Sequence, residues 1–321
     1  MPKVSVIIPA YSRPESLRRA ALSVLAQTFS DLELLIVHNG PHEGPRDVAK
    51  ELETEDKRVR YHFVKKADAV TARNMGVDLA AGDYIAFLDD DDEWLPEKLE
   101  KQLAVFEELP SVGMVYVRAI RVFTDGRREI DREPEQPFVS YKQLVLEGCI
   151  LRTLSGVLLR KNDFHDIGPF DKRFLITNDY DFYLRFVKKF PIYYLKDALV
   201  LYACHPGNLS GIPHLRFRES VRTLRADKRN VNRHGRRLLD RGIASYGRRF
   251  YAEAVNASDE GDHRMAAYYY WKSIRYMPWV GLSITWARYS NPVYKFLQPY
   301  AAVGLSVFKA MIRKRPEKVE L

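Results

Sequence analysis

Residues 83–96 read DYIAFLDDDDEWLP, an apolar run that stops at four consecutive aspartates. The run over 84–88 predicts a buried strand. The acidic cluster behind it is harder to place, because four adjacent carboxylates repel one another unless a cation or water screens them. Carboxylate oxygens suit hard cations such as Mg2+ and Mn2+, which bind through one or two protein carboxylates together with substrate phosphates. The competing reading is an acidic turn in which Pro96 opens a helix, the acids complement its dipole, and Asp92 serves as a cap. Groups at other strand ends have to decide between them.

Outward from that stretch, short apolar runs alternate with helical patterns. VSVII (4–8), LELLIV (32–37) and VRYHFV (59–64) read as three further strands. Ser12 and Glu15 have capping-box spacing, and Pro14 falls in the first turn of a helix reaching about Gln27. Helical segments near 44–54 and 70–80 separate the later strands. Alternation of this kind predicts an α/β fold with a mostly parallel sheet and right-handed crossovers. In such sheets ligands bind beyond the carboxyl ends of the strands. Those ends read IIPAYSR, LIVHNGP and IAFLDDDDEW. None is followed by G-x-G-x-x-G or a P-loop, which removes a dinucleotide fold and a phosphate-cradling glycine loop. From 112 to 212 the pattern is mixed: strands at VGMVYVRAIRVF and SGVLLRK, and a helix at NDYDFYLRFVKKF. From His214 onward nearly everything reads helical, with two short amphipathic helices over 251–278 joined at Gly261-Asp262 and ended by Pro278.

The chain has 321 residues, 46% hydrophobic and 29% charged, which is the composition of a globular protein with room for one large core and a smaller unit. Cys149 and Cys204 make no disulfide framework, so a reducing compartment is expected. The amino terminus offers no signal peptide, and no window has the roughly 18 uninterrupted apolar residues of a membrane span. A cytoplasmic location is expected by elimination. The net charge of +9 is uneven: residues 1–212 carry −4 and residues 213–321 carry +13.

Four ordered blocks, VSVIIPAYSRPE, ARNMGVDLAAGDYIAFLDDDDEW, ITNDYDFYLRF and LYACHPGNLSG, resemble family 2 glycosyltransferases, which have the GT-A fold and invert configuration. The resemblance covers roughly residues 3–212. It implies that Asp89-x-Asp91 is the D-x-D motif, holding Mn2+ or Mg2+ against the diphosphate of a nucleotide-sugar. Asp91 would be the direct ligand and Asp89 its partner, with Asp89 or Asp90 reaching the ribose. Pro9, Ala10 and Tyr11 match the stretch that cups the nucleobase, with Arg13 beside them. Arg73 and Asn74 match the block that closes over it. Asp179 matches the catalytic base, and His205 matches a position that in some members contacts the metal or diphosphate. The implied reaction moves a sugar, with UDP as the expected carrier, to a hydroxyl of a glycan or lipid-linked glycan.

Two departures stand out. The usual acidic pair at the end of the second strand is His38-Asn39 here, although Asn39 can donate and accept and so still read a pyrimidine edge. The first position of the base block is Asn178 rather than an acid. These departures keep a non-catalytic nucleotide-sugar-binding module as the alternative. A sugar nucleotidyltransferase is disfavoured because the glycine-rich opening loop is missing. Residues 1–212 therefore form the expected catalytic domain. Residues 213–321 form a basic helical region that either docks peripherally on the inner face of an anionic membrane or is a solvated appendage. Nucleic acid is not expected, since no binding motif accompanies the charge.

Overall fold

The computed structural model of the chain describes residues 2–65, 68–133, 135–208 and 212–276. Strands β1 (Val4–Ala10), β2 (Leu32–His38), β3 (Val59–Phe63) and β4 (Tyr84–Phe87) form at the four apolar runs. Helices α1 (Pro14–Leu25), α2 (Glu43–Glu55) and α3 (Ala69–Leu79) connect them. Every residue of β1 and β2 is buried. Strands covered on both faces need apolar side chains at consecutive positions, which is why these runs do not alternate. Pairing is parallel, with Val4 opposite Leu32 on one side and Tyr84 on the other. The spatial order β3-β2-β1-β4 reverses direction between β1 and β4. A crevice outside the carboxyl ends of those two strands is where such sheets bind ligands.

The sheet continues through β5 (Glu93–Trp94), β6 (Met114–Phe123), β9 (Val157–Arg160) and β10 (Ile192–Cys204), in the order β4-β9-β6-β10-β5. Two short strands, β7 (Arg128–Ile130) and β8 (Phe138–Val139), pair with β6 and β10. β9 runs antiparallel to both β4 and β6, whereas β10 runs parallel to β6. Helices α4 (Lys98–Glu108), α5 (Tyr141–Glu147), α6 (Lys161–Ile167) and α7 (Asn178–Phe186) flank it. A tight turn over Leu154–Gly156 feeds β9. A Cβ on Gly156 would stand 2.7 Å from the Tyr116 ring and 2.8 Å from the Val117 carbonyl, so only glycine fits there.

Local expectations failed at two places near the site. The capping box at Ser12 and Glu15 does not form: α1 starts at Pro14, its N-cap is Arg13, and no side chain caps it. Proline at the first helical position sets that start and leaves Ser12 one residue too early to cap. Asp92 does not cap a helix either. β5 intervenes, α4 begins only at Lys98, and its N-cap is Glu97.

The carboxyl-terminal region is helical, with α8 (Pro213–Asp227), α9 (Arg233–Asp259) and α10 (His263–Tyr276). The described residues divide into two units, one through Leu238 and one beginning at Leu239. The first helix of the anticipated pair is long rather than short, because its pattern starts well before residue 251. Gly261, with φ of 82°, makes the turn to α10, where the ring pairs Phe250–Tyr269 and Tyr251–Tyr270 pack at 6.1 and 5.6 Å. Pro278 and residues 291–318, whose sequence pairs an apolar stretch with a cationic end, lie outside the described residues.

Candidate active site

The carboxyl ends of β1 and β4 bring the D-x-D segment against the loop that opens α1. The carboxylates of Asp90 and Asp91 are both gripped by the Arg13 guanidinium. Asp90 is buried to 3% exposure and also accepts the Tyr11 backbone N–H at 3.3 Å. Burial pushes its carboxyl up to about 6, with Arg13 pulling the other way. Pro9 and Ala10 are the buried end of β1, while the Tyr11 ring is 43% exposed and lies edge-on to His42 at 5.4 Å. Gly40 permits this closure, since a Cβ there would lie 2.6 Å from the Tyr11 carbonyl oxygen. Beside it, Asn39 and His38 are each 3% exposed. Asn39 Oδ1 and His38 Nε2 have no hydrogen-bond partner among the described residues.

Arg73, on α3, joins the first aspartate of the motif to the base block. Its Nη2 donates to Asp89 at 2.6 Å and its Nη1 to Asn178 Oδ1 at 3.2 Å. Asn178 spends its other end on the Leu175 carbonyl at 2.9 Å. An aspartate there would have no proton to donate to that carbonyl, so the departure at 178 has a structural use. Asp179 comes next, on the first turn of α7, partly accessible, its Oδ1 accepting the Tyr180 N–H at 2.7 Å. Burial raises its carboxyl from 3.8 to about 6, with Tyr180 and Arg73 opposing and Asp89 reinforcing. Both ends of the Asn74 carboxamide bond the Phe170 backbone at 3.0 Å, so this side chain fixes the loop at Phe170.

Asp92 is fully buried and accepts from Ser155 Oγ at 2.6 Å, Thr153 Oγ1 at 3.2 Å and the Ala203 N–H at 3.0 Å. Ser155 Oγ in turn accepts the Asp89 N–H at 3.1 Å. The fourth aspartate therefore ties the motif loop to the turn before β9 and to the end of β10. Sequence reading missed Thr153 and Ser155. It also missed Glu219 of α8, which binds the chain entering α7. Glu219, Thr223 and Asp227 recur every four residues on an otherwise arginine-rich helix, a polar stripe that could have been read.

His205 Nε2 lies 3.0 Å from Asp91 Oδ2 and 3.2 Å from Arg13 Nη1. Its Nδ1 accepts the Gly207 N–H at 3.1 Å. That pattern assigns the ring proton to Nε2, which donates to Asp91 and has no lone pair for a metal. Ligation through Nε2 requires the other tautomer and the loss of the Gly207 bond. Among the described residues no three His, Cys, Asp or Glu side chains are grouped to hold an ion unaided. The oxygen donors of Asp90 and Asp91 already hold a cationic guanidinium, however, and carboxylates that finish their ligand shell with substrate phosphates suit Mg2+ or Mn2+. In that sense the residues fit a divalent cation.

A family model described as "Glycosyl transferase family 2" matches residues 5–168. The chain belongs to glycosyltransferase family 2. As a family 2 enzyme it is similar to the amylovoran biosynthesis glycosyltransferase AmsB of Erwinia amylovora, 30% identical over 196 residues, 56% of this chain and 62% of that one. It is 39% identical over 179 residues to an uncharacterised glycosyltransferase of Nostoc, covering 53% and 54% of the two chains. The matches span from 29% to 64% of such relatives' own lengths. Among solved structures, S. aureus TarS 1–349 in complex with UDP-GlcNAc aligns over 86% of this chain and 82% of that one, with TM-score 0.63 and 17% identity. The mannosyltransferase PcManGT of Pyrobaculum calidifontis, in complex with GDP-Man and Mn2+, aligns over 97% and 83%, with TM-score 0.59 and 13% identity. These similarities show the GT-A glycosyltransferase fold. Asp179 and His205 lie beyond the matched 5–168 segment.

Proposed function

We propose that this glycosyltransferase inverts configuration while moving a sugar from a nucleoside diphosphate carrier to an acceptor hydroxyl. One observation carries the reading: Arg73 links Asp89 to the turn bearing Asp179, so a diphosphate held at Asp89 and a base at Asp179 would meet at one reaction centre. The carboxyl ends of β1 and β2 would hold the nucleoside, with the Tyr11 ring at the mouth. The unpartnered Asn39 Oδ1 would accept from a ring N–H such as the imide of uracil or thymine; UDP is the carrier we propose, although the usual acidic residue at this position is absent. Asp91 would hold Mg2+ or Mn2+, with Asp89 or Asp90 completing the protein side, and the ion would neutralise charge on the departing diphosphate. The guanidinium of Arg13 would leave the carboxylates and turn toward the diphosphate, where a planar fork binds two oxygens at once.

Asp179, ionised, would take the proton from the acceptor hydroxyl as that oxygen attacks the anomeric carbon from the face opposite the diphosphate. A carboxyl near 6 suits the task, being ionised at neutral pH yet more basic than an ordinary aspartate. The acceptor would be a glycan or lipid-linked glycan, met at a membrane surface by the basic carboxyl-terminal region. Among the described residues no helix is long and apolar enough to cross a membrane.

The test is a thermal-shift panel of UDP-, dTDP- and GDP-sugars with and without Mn2+, followed by turnover of the stabilising donor. We expect a Mn2+-dependent shift with a UDP-sugar. Asp179→Asn should keep that shift and lose about 10²–10⁴-fold in turnover. An Asp179→Asn enzyme with full activity would remove the base assignment, and no metal-dependent shift with any donor would remove the metal.

A further inference from the structure

The approach to Asp179 is held by a residue outside the segment the family model matches. Glu219, in the second turn of α8, accepts three successive backbone N–H groups: Leu175 at 3.2 Å, Ile176 at 2.6 Å and Thr177 at 2.7 Å. The Thr177 hydroxyl adds a fourth donor at 3.3 Å. Consecutive amides turned toward one point make a concavity for an anion, and here the anion is a side chain of the same protein. Thr177 is the N-cap of α7 and does not cap it with its own side chain, because its hydroxyl is engaged by Glu219 and, at 2.9 Å, by Thr223. One turn further along α8, Asp227 accepts the Tyr141 hydroxyl at 2.7 Å and pairs with Lys188. Residues 219, 223 and 227 share one face of the helix, so α8 grips α5, α7 and the chain between them with a single polar stripe.

We propose that Glu219 is a positioning residue for the catalytic base: by fixing the backbone of 175–177 it sets where Asn178 meets Arg73 and where the Asp179 carboxylate stands. The inference rests on Asp179 being the base. Two fixed points define that carboxylate's place, the Arg73 contact to Asn178 from the motif side and the Glu219 clamp from the α8 side. Without the clamp, three N–H groups seek other acceptors and the turn into α7 shifts. A base displaced by about 1 Å loses on the order of 10²-fold in rate while leaving the donor's own contacts in place. The segment reaches the donor groups through the Arg73 bridge from Asn178 to Asp89, one step removed from the clamp, so the larger effect falls on turnover.

The experiment uses the full chain with Mn2+ and the same donor panel, following nucleotide release with water as acceptor. Glu219→Gln keeps one acceptor oxygen and turns an NH2 toward the backbone donors. We expect kcat to fall about 10–100-fold, with donor KM and nucleotide Kd within twofold of the parent. Thr223→Val, nearly the same volume, removes only the second partner of the Thr177 hydroxyl. It should give the same kcat-only signature at a smaller size, and it serves where Glu219→Gln does not fold. The deciding measurement is the pair with Asp179→Asn. If Glu219 acts through Asp179, adding Glu219→Gln or Thr223→Val to Asp179→Asn leaves the residual rate unchanged. A multiplicative further loss, or a loss seen in KM and kcat alike, overturns the proposal while leaving Asp179 as base. Full activity in Asp179→Asn, or no turnover of any donor by the parent protein, removes the base reading and this inference with it.

Discussion

Asp179 shows how one carboxyl can be held ready at a cost to the fold. Its acidity is set mainly by burial, which lifts it to about 6. The folded state therefore binds a proton more tightly than the unfolded chain between 3.8 and about 6, and native stability falls as pH rises through that interval. Replacing the carboxylate with a neutral isostere removes the penalty at neutral pH, at most about 3 kcal/mol. Asp179→Asn should accordingly be more stable than the parent at pH 8, with the gap closing as pH approaches 4, in denaturant titrations at several pH values. If Asp179 is the base, as proposed, activity runs the opposite way, because only its ionised form accepts a proton. For the parent enzyme, kcat at saturating donor should rise through about pH 6 and then level. Burial also lifts the Asp90 carboxyl to about 6, but in the proposed site it lies on the donor side, beside Arg13. Its protonation should appear in donor KM, which separates the two carboxyls in one set of pH profiles. A kcat that is flat from pH 5 to 8 would dissociate Asp179 from the chemistry.

At the scale of elements, β1, β2 and β4 were legible because strands covered on both faces read as near-continuous apolar runs, and the buried polar pair within them, Ser5 and Glu33, is joined by a hydrogen bond at 2.6 Å. The carboxylates at 89–92 drew notice for a related reason, interrupting such a run at a strand end where parallel sheets place ligands, but the choice between a metal site and an acidic turn rested on the family resemblance. Asp92 was not legible, since its partners Thr153, Ser155 and Ala203 lie 61 to 111 residues further along the chain. In the sequence the fourth aspartate looks like the first three, and only the fold reveals that it is buried with three donors while Asp91 faces Arg13 and His205. Helix starts were misread where proline and an unforeseen short strand shifted the register by one or more residues. The difference between neighbouring aspartates yields a paired prediction. Asp92→Asn relieves the burial that holds this carboxyl well above its ordinary range, but it turns an NH2 toward groups that themselves donate. With three donors to satisfy, the unmade bonds should prevail, at a net cost of about 2 kcal/mol or less. Asp91→Asn should leave stability nearly unchanged and abolish the Mn2+-dependent shift with donor. Equal stability losses in the two variants would show that Asp92 is not the anchor.

At the scale of the whole molecule the unsolved feature is charge, because residues 213–276 carry +8 and residues 277–321 a further +5. Part of this has a local use: Arg222 lies over the Phe174 ring at 5.7 Å and Arg249 over the Tyr246 ring at 4.6 Å. Such contacts hold the side-chain stems and leave the long-range field of the cations in place. An anionic membrane attracts nearby Lys and Arg by about 1 kcal/mol each, within a Debye length of roughly 8 Å at physiological salt. If the region docks where lipid-linked acceptors reside, the full chain should sediment with phosphatidylglycerol-containing vesicles at low salt. It should be released by 0.5 M NaCl and should ignore neutral phosphatidylcholine vesicles. A chain ending at Tyr276 divides the contribution. Retention of most binding assigns it to the arginines of α8, α9 and α10, whereas its loss assigns it to residues 277–321. A full chain that stays in the supernatant with anionic vesicles at low salt would leave the basic third without a membrane role, and its arginines would then serve packing and solubility alone.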